Sequence, residues 1–79
     1  MTTDEIRSTL RGVFFEVFEN DRFEFSDALA RDQVEGWDSL GHIRLVAATE
    51  EAFDMRFTIE EIESFTSVGR MVERIAARR

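Results

Sequence analysis

Apolar residues recur at helical spacing in three separate stretches of this chain, and this pattern constrains its fold more than any other feature. Such spacing places the side chains on one face of a helix. The first stripe consists of Ile6, Leu10, Val13, Phe14, Val17 and Phe18. Thr2 and Glu5, just before it, have the spacing of a capping box. We therefore predict a helix over residues 3–18.

The second periodic stretch covers residues 39–53 and predicts a second helix. On a helical wheel its core face consists of Ile43, Val46 and Phe53, flanked by Leu45 and Thr49. The opposite face consists of Gly41, Arg44, Ala48 and Glu51, with Leu40 and Ala47 at one border. We expect the first group to be buried and the second to be exposed.

Two more helices are predicted in the last part of the chain. Thr58 and Glu61 repeat the capping-box spacing and predict a short helix through Ser64, with Ile59 and Ile62 directed inward. Thr66 is expected to cap the last helix. The apolar stripe of that helix is Val68, Met71, Val72 and Ile75.

The segment between the first two helices has no helical stripe. Asn20-Asp21 is a turn signal, and a short helical turn is predicted around Asp27–Ala30. We expect apolar side chains to hold this loop against the core, namely Phe23, Phe25, Leu29 and Val34. Since no strand-like alternation occurs, the predicted fold over residues 1–79 is a single all-α domain. It is a four-helix bundle of three main helices and one short helix, with a long loop between helices 1 and 2.

Composition excludes several classes of function. The formal charge is −7, from 17 acidic and 10 basic residues, which disfavours nucleic acid and fits basic partner proteins. The chain has no cysteine and one histidine, so no metal site is predicted. No apolar run approaches the roughly 20 residues of a membrane span. Because residues 1–5 resemble no signal peptide, we expect a cytoplasmic protein.

Ser39 is the candidate functional residue. Gly36 ends the irregular segment, and Asp38 has the side chain and position of a helix N-cap. Ser39 then falls in the first turn, where the helix dipole and free N–H groups would stabilise a phosphate ester. No nucleophile–base pair accompanies it, so the chain is predicted not to be an enzyme.

A mixed surface for a partner protein is predicted beside Ser39. It consists of Leu40, Arg44, Ala47 and Glu51, with Trp37 as a further candidate. For Trp37, packing near the helix start is favoured over partner contact, because large aromatic side chains usually serve as anchors. His42 falls toward the core side of its helix, where we expect a packed, hydrogen-bonded histidine.

The order and spacing of these residues resemble the acyl carrier protein family, which includes the peptidyl carrier domains of nonribosomal synthesis. The resemblance extends over roughly residues 34–76. It consists of Asp38-Ser39-Leu40, Leu45-Val46, Glu50-Glu51-Ala52-Phe53, Glu60-Glu61-Ile62, Thr66-Ser67-Val68 and the Val72–Ile75 stripe.

The resemblance implies a covalent cofactor. A phosphopantetheinyl transferase would use Mg²⁺ to move 4′-phosphopantetheine from coenzyme A to Ser39, with Asp38 serving in transferase recognition as well as in capping. The thiol of the arm would carry an acyl or aminoacyl group as a thioester. The implied partners of this monomeric carrier are the transferase, an acyl- or aminoacyl-loading ligase or acyltransferase, and downstream synthase enzymes.

Departures from the carriers of fatty-acid synthesis indicate a specialised pathway. Gly41, His42 and Arg44 replace the acidic start of the second helix in those carriers, and Trp37 precedes the Asp-Ser-Leu. This form is more similar to carriers of polyketide, nonribosomal peptide or modified fatty acid pathways. Alternatives are an aminoacyl or D-alanyl carrier, or an acidic helical interaction module that is never modified.

Two clusters have ordinary structural interpretations. The phenylalanine stripe is predicted to be core and, by limiting the room inside, to favour a short or polar cargo; it consists of Phe14, Phe18, Phe53, Phe57 and Phe65. The glutamates are predicted to lie on solvated helix faces; they are Glu50, Glu51, Glu60, Glu61 and Glu63.

Overall fold

The computed structural model describes residues 1–19 and 22–78, and within these ranges the chain is helical. The helices are α1 (Thr3–Phe18), α2 (Ser39–Phe53), α3 (Ile59–Ser64) and α4 (Val68–Arg78), with a 3₁₀ helix at Arg31–Gln33. No strand forms in the part of the chain that the structure describes. The predicted all-α class, with three main helices and one short helix, is confirmed. The turn predicted at Asn20-Asp21 lies outside the described residues.

Both predicted capping boxes form and set the starts of α1 and α3. The hydroxyl of Thr2 accepts from the N–H of Glu5 at 3.1 Å, and the Glu5 carboxylate accepts from the N–H of Thr2 at 2.8 Å. Thr58 and Glu61 repeat the pair at 3.1 and 2.9 Å. The backbone N–H groups of the two threonines stabilise the charged carboxylates, and this lowers the pKa of both glutamates.

The prediction that Thr66 caps the last helix is wrong by one residue. The helix begins at Val68, and the hydroxyl of Ser67 accepts from the N–H of Arg70 at 3.3 Å. Thr66 instead uses its carbonyl oxygen, which accepts from the N–H of Arg31 at 3.1 Å. The backbone of this segment is thus engaged by the long loop before the helix starts.

The long loop is held against the core, as predicted. Phe23, Leu29 and Val34 are buried, and Phe25 is half-buried with its ring centroid 5.4 Å from that of Phe14. At the predicted helical turn of Asp27–Ala30, a single hydrogen-bonded turn forms, in which the N–H of Leu29 donates to the carbonyl of Ser26 at 3.0 Å; the helical segment itself begins only at Arg31. Ala30 is extended because its backbone pairs with Ser67 in an isolated antiparallel bridge.

The core lies between the helices and this loop. Its largest fully buried side chains are Phe14, Phe53, Phe65, Ile6, Leu10, Leu45, Met71 and Ile75. Helix α3, which lies wholly within the described residues, contains no fully buried residue. Its flanks supply the anchors, because Phe57 and Phe65 are both buried and meet edge to face at 5.0 Å.

Helix α2 is rotated relative to the predicted wheel. Ile43, predicted to face the core, is 66% exposed, whereas Gly41, predicted to be exposed, is buried. A Cβ atom at Gly41 would lie less than 3.0 Å from the carbonyl oxygen of Gly36 and 3.2 Å from Cε1 of Phe18. The loop therefore packs directly on Gly41, and this contact turns Ile43 outward. Ile59, also predicted inward, is 76% exposed at the first position of α3.

Candidate functional site

Ser39 occupies the first position of α2 and is exposed. Asp38 is the N-cap, as predicted: its backbone is extended, and its Oδ1 atom accepts from the N–H of Gly41 at 2.8 Å. The backbone N–H groups of Ser39 and Leu40 have no intrahelical acceptor at this end. Among the described contacts, no hydrogen bond involves the Ser39 hydroxyl. The serine thus presents a free nucleophilic oxygen at the positive end of a helix.

Two glycines allow the loop to deliver the chain to this helix start. Gly36 has a φ angle of +94°, which a residue with a side chain rarely adopts. Its carbonyl oxygen faces Gly41, where the absence of a Cβ permits backbone contact. The chain therefore turns sharply within the two residues before Asp38. Both glycines are visible in the sequence, but the contact between them is not, because they lie in different elements of the fold.

Trp37 does not lie on the surface, so its inclusion in the predicted partner surface is wrong. Its side chain is 3% exposed and packs edge to face on Phe14, with 5.2 Å between ring centroids. Its backbone carbonyl oxygen accepts from Nε of Arg31 at 3.1 Å, and its backbone N–H donates to the carbonyl of Val34. The favoured interpretation of Trp37 as an anchor near the helix start is confirmed.

His42 connects Trp37 to helix α3 through hydrogen bonds of both ring nitrogens. Nε1 of Trp37 donates to Nδ1 of His42 at 2.8 Å. Nε2 of His42 lies 2.9 Å from the carbonyl oxygen of Ile62. The histidine is only 8% exposed, so the predicted packed and hydrogen-bonded histidine is confirmed.

The exposed surface beside Ser39 is more apolar than predicted. Leu40 is 66% exposed, and Ala47 and Glu51 are exposed. Ile43 lies on the same helix and is 66% exposed, although it was predicted to be buried; Ile59, at the first position of α3, is exposed as well. A shallow groove of about 220 Å³ lies between α2 and α3; it is lined by Ile43, Val46, Ala47, Glu50 and Ile62.

The spacing of Leu40, Ile43 and Ala47 was a usable signal for this surface. These residues form a second apolar row at helical spacing, which the wheel divided between core and border. Arg44 is exposed as predicted, but its Nη2 atom donates to the carbonyl of Val17 at 3.2 Å. It therefore ties α2 to the last turn of α1, where carbonyl groups lack intrahelical partners.

Two of the five glutamates do not lie on solvated faces. Glu50 is half-buried, and its carboxylate accepts from the N–H of Phe57 at 2.9 Å. The side chain of Glu61 is only 12% exposed and lies 3.2 Å from the Arg78 guanidinium. Glu50 therefore holds the α2–α3 connection in place, whereas Glu61 ties the start of α3 to α4. Among residues 1–19 and 22–78, no group of three or more histidine, aspartate or glutamate side chains could hold a metal ion.

Comparison with known proteins adds no family assignment. No protein-family model matches the chain, and the search of curated proteins returns no match. In the described part of the chain, no helix is both long enough and apolar enough to cross a membrane.

The residues around Ser39 fit the attachment of a phosphate ester. The hydroxyl is exposed, the nearest helix end offers N–H groups, and the Asp38 carboxylate is engaged by Gly41. Among the described contacts, the Asp38 carboxylate makes one hydrogen bond, through Oδ1. A phosphate on Ser39 would thus meet unpaired N–H groups at the positive helix end, which partly offset the adjacent carboxylate.

Proposed function

We propose that this protein is a carrier of acyl intermediates, held as thioesters on a 4′-phosphopantetheine arm attached to Ser39. The observation that carries the proposal is the exposed Ser39 hydroxyl, free of hydrogen bonds in the described chain, directly after the Asp38 cap. The resemblance of residues 34–76 to acyl carrier proteins supplies the identity of the cofactor. Its departures from that family's fatty-acid-synthesis members favour a polyketide, nonribosomal peptide or modified fatty acid pathway.

The proposed modification is a phosphoryl transfer to Ser39 that a separate enzyme catalyses. The Ser39 oxygen forms a bond to the phosphorus that bears pantetheine in coenzyme A, and the pyrophosphate bond at that phosphorus breaks. Adenosine 3′,5′-bisphosphate leaves, and the hydroxyl proton passes to the transferase, which holds the Mg²⁺. The arm would supply a thiol, on which a separate loading enzyme would attach the cargo as a thioester, displacing the leaving group of an activated acyl donor.

The chain itself contributes position and charge to this step. Asp38 fixes the first turn of α2 through Gly41, so Ser39 is held in a helical conformation with its side chain exposed. Free N–H groups at the helix start stabilise the phosphate once it is attached. The chain has no catalytic role in the proposed reactions, and the loading ligase or acyltransferase and the synthase enzymes supply that chemistry.

We propose that these enzymes contact the exposed surface beside Ser39. It comprises Leu40, Arg44, Ala47 and Glu51, to which we add Ile43 and, on the adjacent helix α3, the exposed Ile59. Three large apolar side chains that are each at least 66% exposed would gain most from burial against a partner. The net charge of −7 favours partners with a basic rim.

A short or polar cargo fits the packing of the core. Phe14 contacts Phe18, Phe23, Phe25 and Trp37, with ring centroids 5.2 to 6.3 Å apart. A long acyl chain could enter only by separating these rings, at the cost of their packing energy. Loading with octanoyl and acetyl groups should therefore leave the core methyl signals of the NMR spectrum equally unchanged. Large shifts with octanoyl alone would show that the core opens.

The proposed modification is tested by intact mass after incubation with coenzyme A, Mg²⁺ and a broad-specificity phosphopantetheinyl transferase. Wild type should gain the mass of one phosphopantetheine. Ser39→Ala should gain none, and Ser8→Ala, at another exposed helical serine, should behave as wild type. No gain by folded wild type, or an equal gain by Ser39→Ala, would refute the carrier proposal. The first outcome would favour the unmodified interaction module.

A further inference from the structure

His42 and Thr49 are the buried polar residues among the described part of the chain, and only His42 can titrate. Its ring lies between Trp37, which precedes Asp38 and Ser39, and the carbonyl oxygen of Ile62 on α3. An indole N–H can only donate a hydrogen bond, and a carbonyl oxygen can only accept one. The two partners therefore require the neutral ring with its proton on Nε2 and a lone pair on Nδ1.

A second ring proton would affect the two hydrogen bonds differently. Nε2–H would still donate to Ile62. On the other side, Nδ1–H would face the N–H of Trp37 across a nitrogen–nitrogen distance of 2.8 Å. Two donors cannot share this contact, so the buried indole N–H would lose its acceptor. The disturbance is thus directed at Trp37 and at the segment that leads to Ser39.

We propose that His42 is a positioning residue: its neutral ring holds Trp37 and the following Asp38–Ser39 step in place, and a second proton releases them. The loss of the hydrogen bond between Trp37 and His42 follows from the geometry of the two ring nitrogens. Its consequence for modification of Ser39 rests on the proposed function.

Other ionisable groups lie on the elements that His42 connects. They include Arg31, Glu35 and Asp38 on the loop, Glu60, Glu61 and Glu63 on α3, and Arg44, Glu50 and Glu51 on α2. Several have described partners other than the imidazole: Asp38 binds Gly41, Arg31 binds the Trp37 carbonyl, and Glu61 binds Thr58. A variant that changes only His42 keeps all of them and so separates their titration from that of the ring.

Trp37 is the only tryptophan in the chain, so its fluorescence reports this segment directly. The experiment compares the emission of wild type and His42→Gln from pH 8 to pH 5, with circular dichroism to establish that both stay folded. Glutamine offers an acceptor oxygen and a donor NH₂ group, and it does not titrate. Wild-type emission should move reversibly to longer wavelength as the pH falls, and His42→Gln should show no such transition. In parallel, the ring nitrogens of wild-type His42 should show the Nε2–H tautomer by NMR at pH 8.

An unchanged wild-type emission, the same transition in both proteins, or an Nδ1–H tautomer at pH 8 would overturn the proposal. A second measurement addresses Ser39: the initial rate of phosphopantetheine gain, expressed as wild type over His42→Gln. As the pH is lowered, this ratio of rates should decrease in proportion to the fraction of wild type whose His42 ring is neutral. A constant ratio alongside the fluorescence transition would refute the positioning of Ser39. If neither protein gains mass at any pH, the proposed function fails, while the fluorescence result still decides the release of Trp37.

Discussion

Replacing Gly41 by alanine tests whether the close contact between the Ser39-bearing helix and the preceding loop is real. A Cβ atom at Gly41 would meet the carbonyl oxygen of Gly36 at less than 3.0 Å and the Phe18 ring at 3.2 Å. Because the carbonyl oxygen of Gly36 belongs to the backbone, no side-chain rotation can relieve this clash. Gly12, in α1, provides the matched control, because nothing lies within 4 Å of a Cβ built there.

The two substitutions should have opposite signs. In a helix interior, alanine is favoured over glycine by about 1 kcal/mol, so Gly12→Ala should raise the free energy of unfolding by nearly this amount. Gly41→Ala gains the same propensity but incurs overpacking that costs about 2–3 kcal/mol at a rigid contact. The net result should be a destabilisation of about 1–2 kcal/mol, which corresponds to a decrease in Tm of roughly 5–15 °C for a domain of this size.

Urea unfolding followed by far-UV circular dichroism measures both free energies. The m-values of wild type, Gly12→Ala and Gly41→Ala should agree, so that the midpoints report stability. If Gly41→Ala were as stable as wild type or more stable, the loop could not pack on Gly41 as described. The explanation for the outward position of Ile43 would then be wrong as well.

Three further predictions concern single side chains. Asp38→Ala should lower the free energy of unfolding by about 1 kcal/mol through loss of the N-cap, measured by urea unfolding, whereas Asp38→Asn should have a smaller effect. Asp27→Asn should lower the free energy of unfolding by about 0.5–1 kcal/mol at pH 7, since the side chains of the Asp27–Arg7 ion pair are only 40–48% exposed. Asp4→Asn should lower it by less, because the Asp4 carboxylate is 97% exposed. Phe14→Ala should cost about 3–5 kcal/mol, a large part of the stability of a small domain, and should lower the Tm measured by thermal melting accordingly.

The Asp27 prediction has a definite dependence on pH. The Arg7 guanidinium donates two hydrogen bonds of 2.8 Å to this carboxylate and lowers its pKa. Because the folded-state pKa lies below the unfolded one, the stabilisation is complete at neutral pH and is lost as the pH falls through the folded value. The difference in stability between wild type and Asp27→Asn should therefore shrink below about pH 4. A difference between wild type and Asp27→Asn that did not change with pH would contradict the ion pair with Arg7. An Asp38→Ala variant as stable as wild type would contradict the N-cap, and a Phe14→Ala variant as stable as wild type would contradict the packing of Phe14 in the core.

Local hydrogen bonding explains which features could be predicted from the sequence. The bounds of α1, α2 and α3, the two capping boxes and the Asp38 cap all depend on residues three or four positions apart. The placement of Ser39 at an exposed helix start belongs to the same class. Here the side chain that fixes the helix and the backbone it binds are neighbours in the chain, so their pattern is visible in the sequence.

The rotation of α2, the burial of Trp37 and the extended backbone of Ala30 were decided by the tertiary structure. Each depends on a partner that pattern reasoning did not identify: Gly36 and Phe18 for the rotation, Phe14 for Trp37, and Ser67 for Ala30. A helical wheel ranks faces by apolar side chains and gives a glycine no weight, although a glycine can accept the closest contact. The sequence by itself thus determined where Ser39 stands, and packing between distant residues decided which side chains surround it.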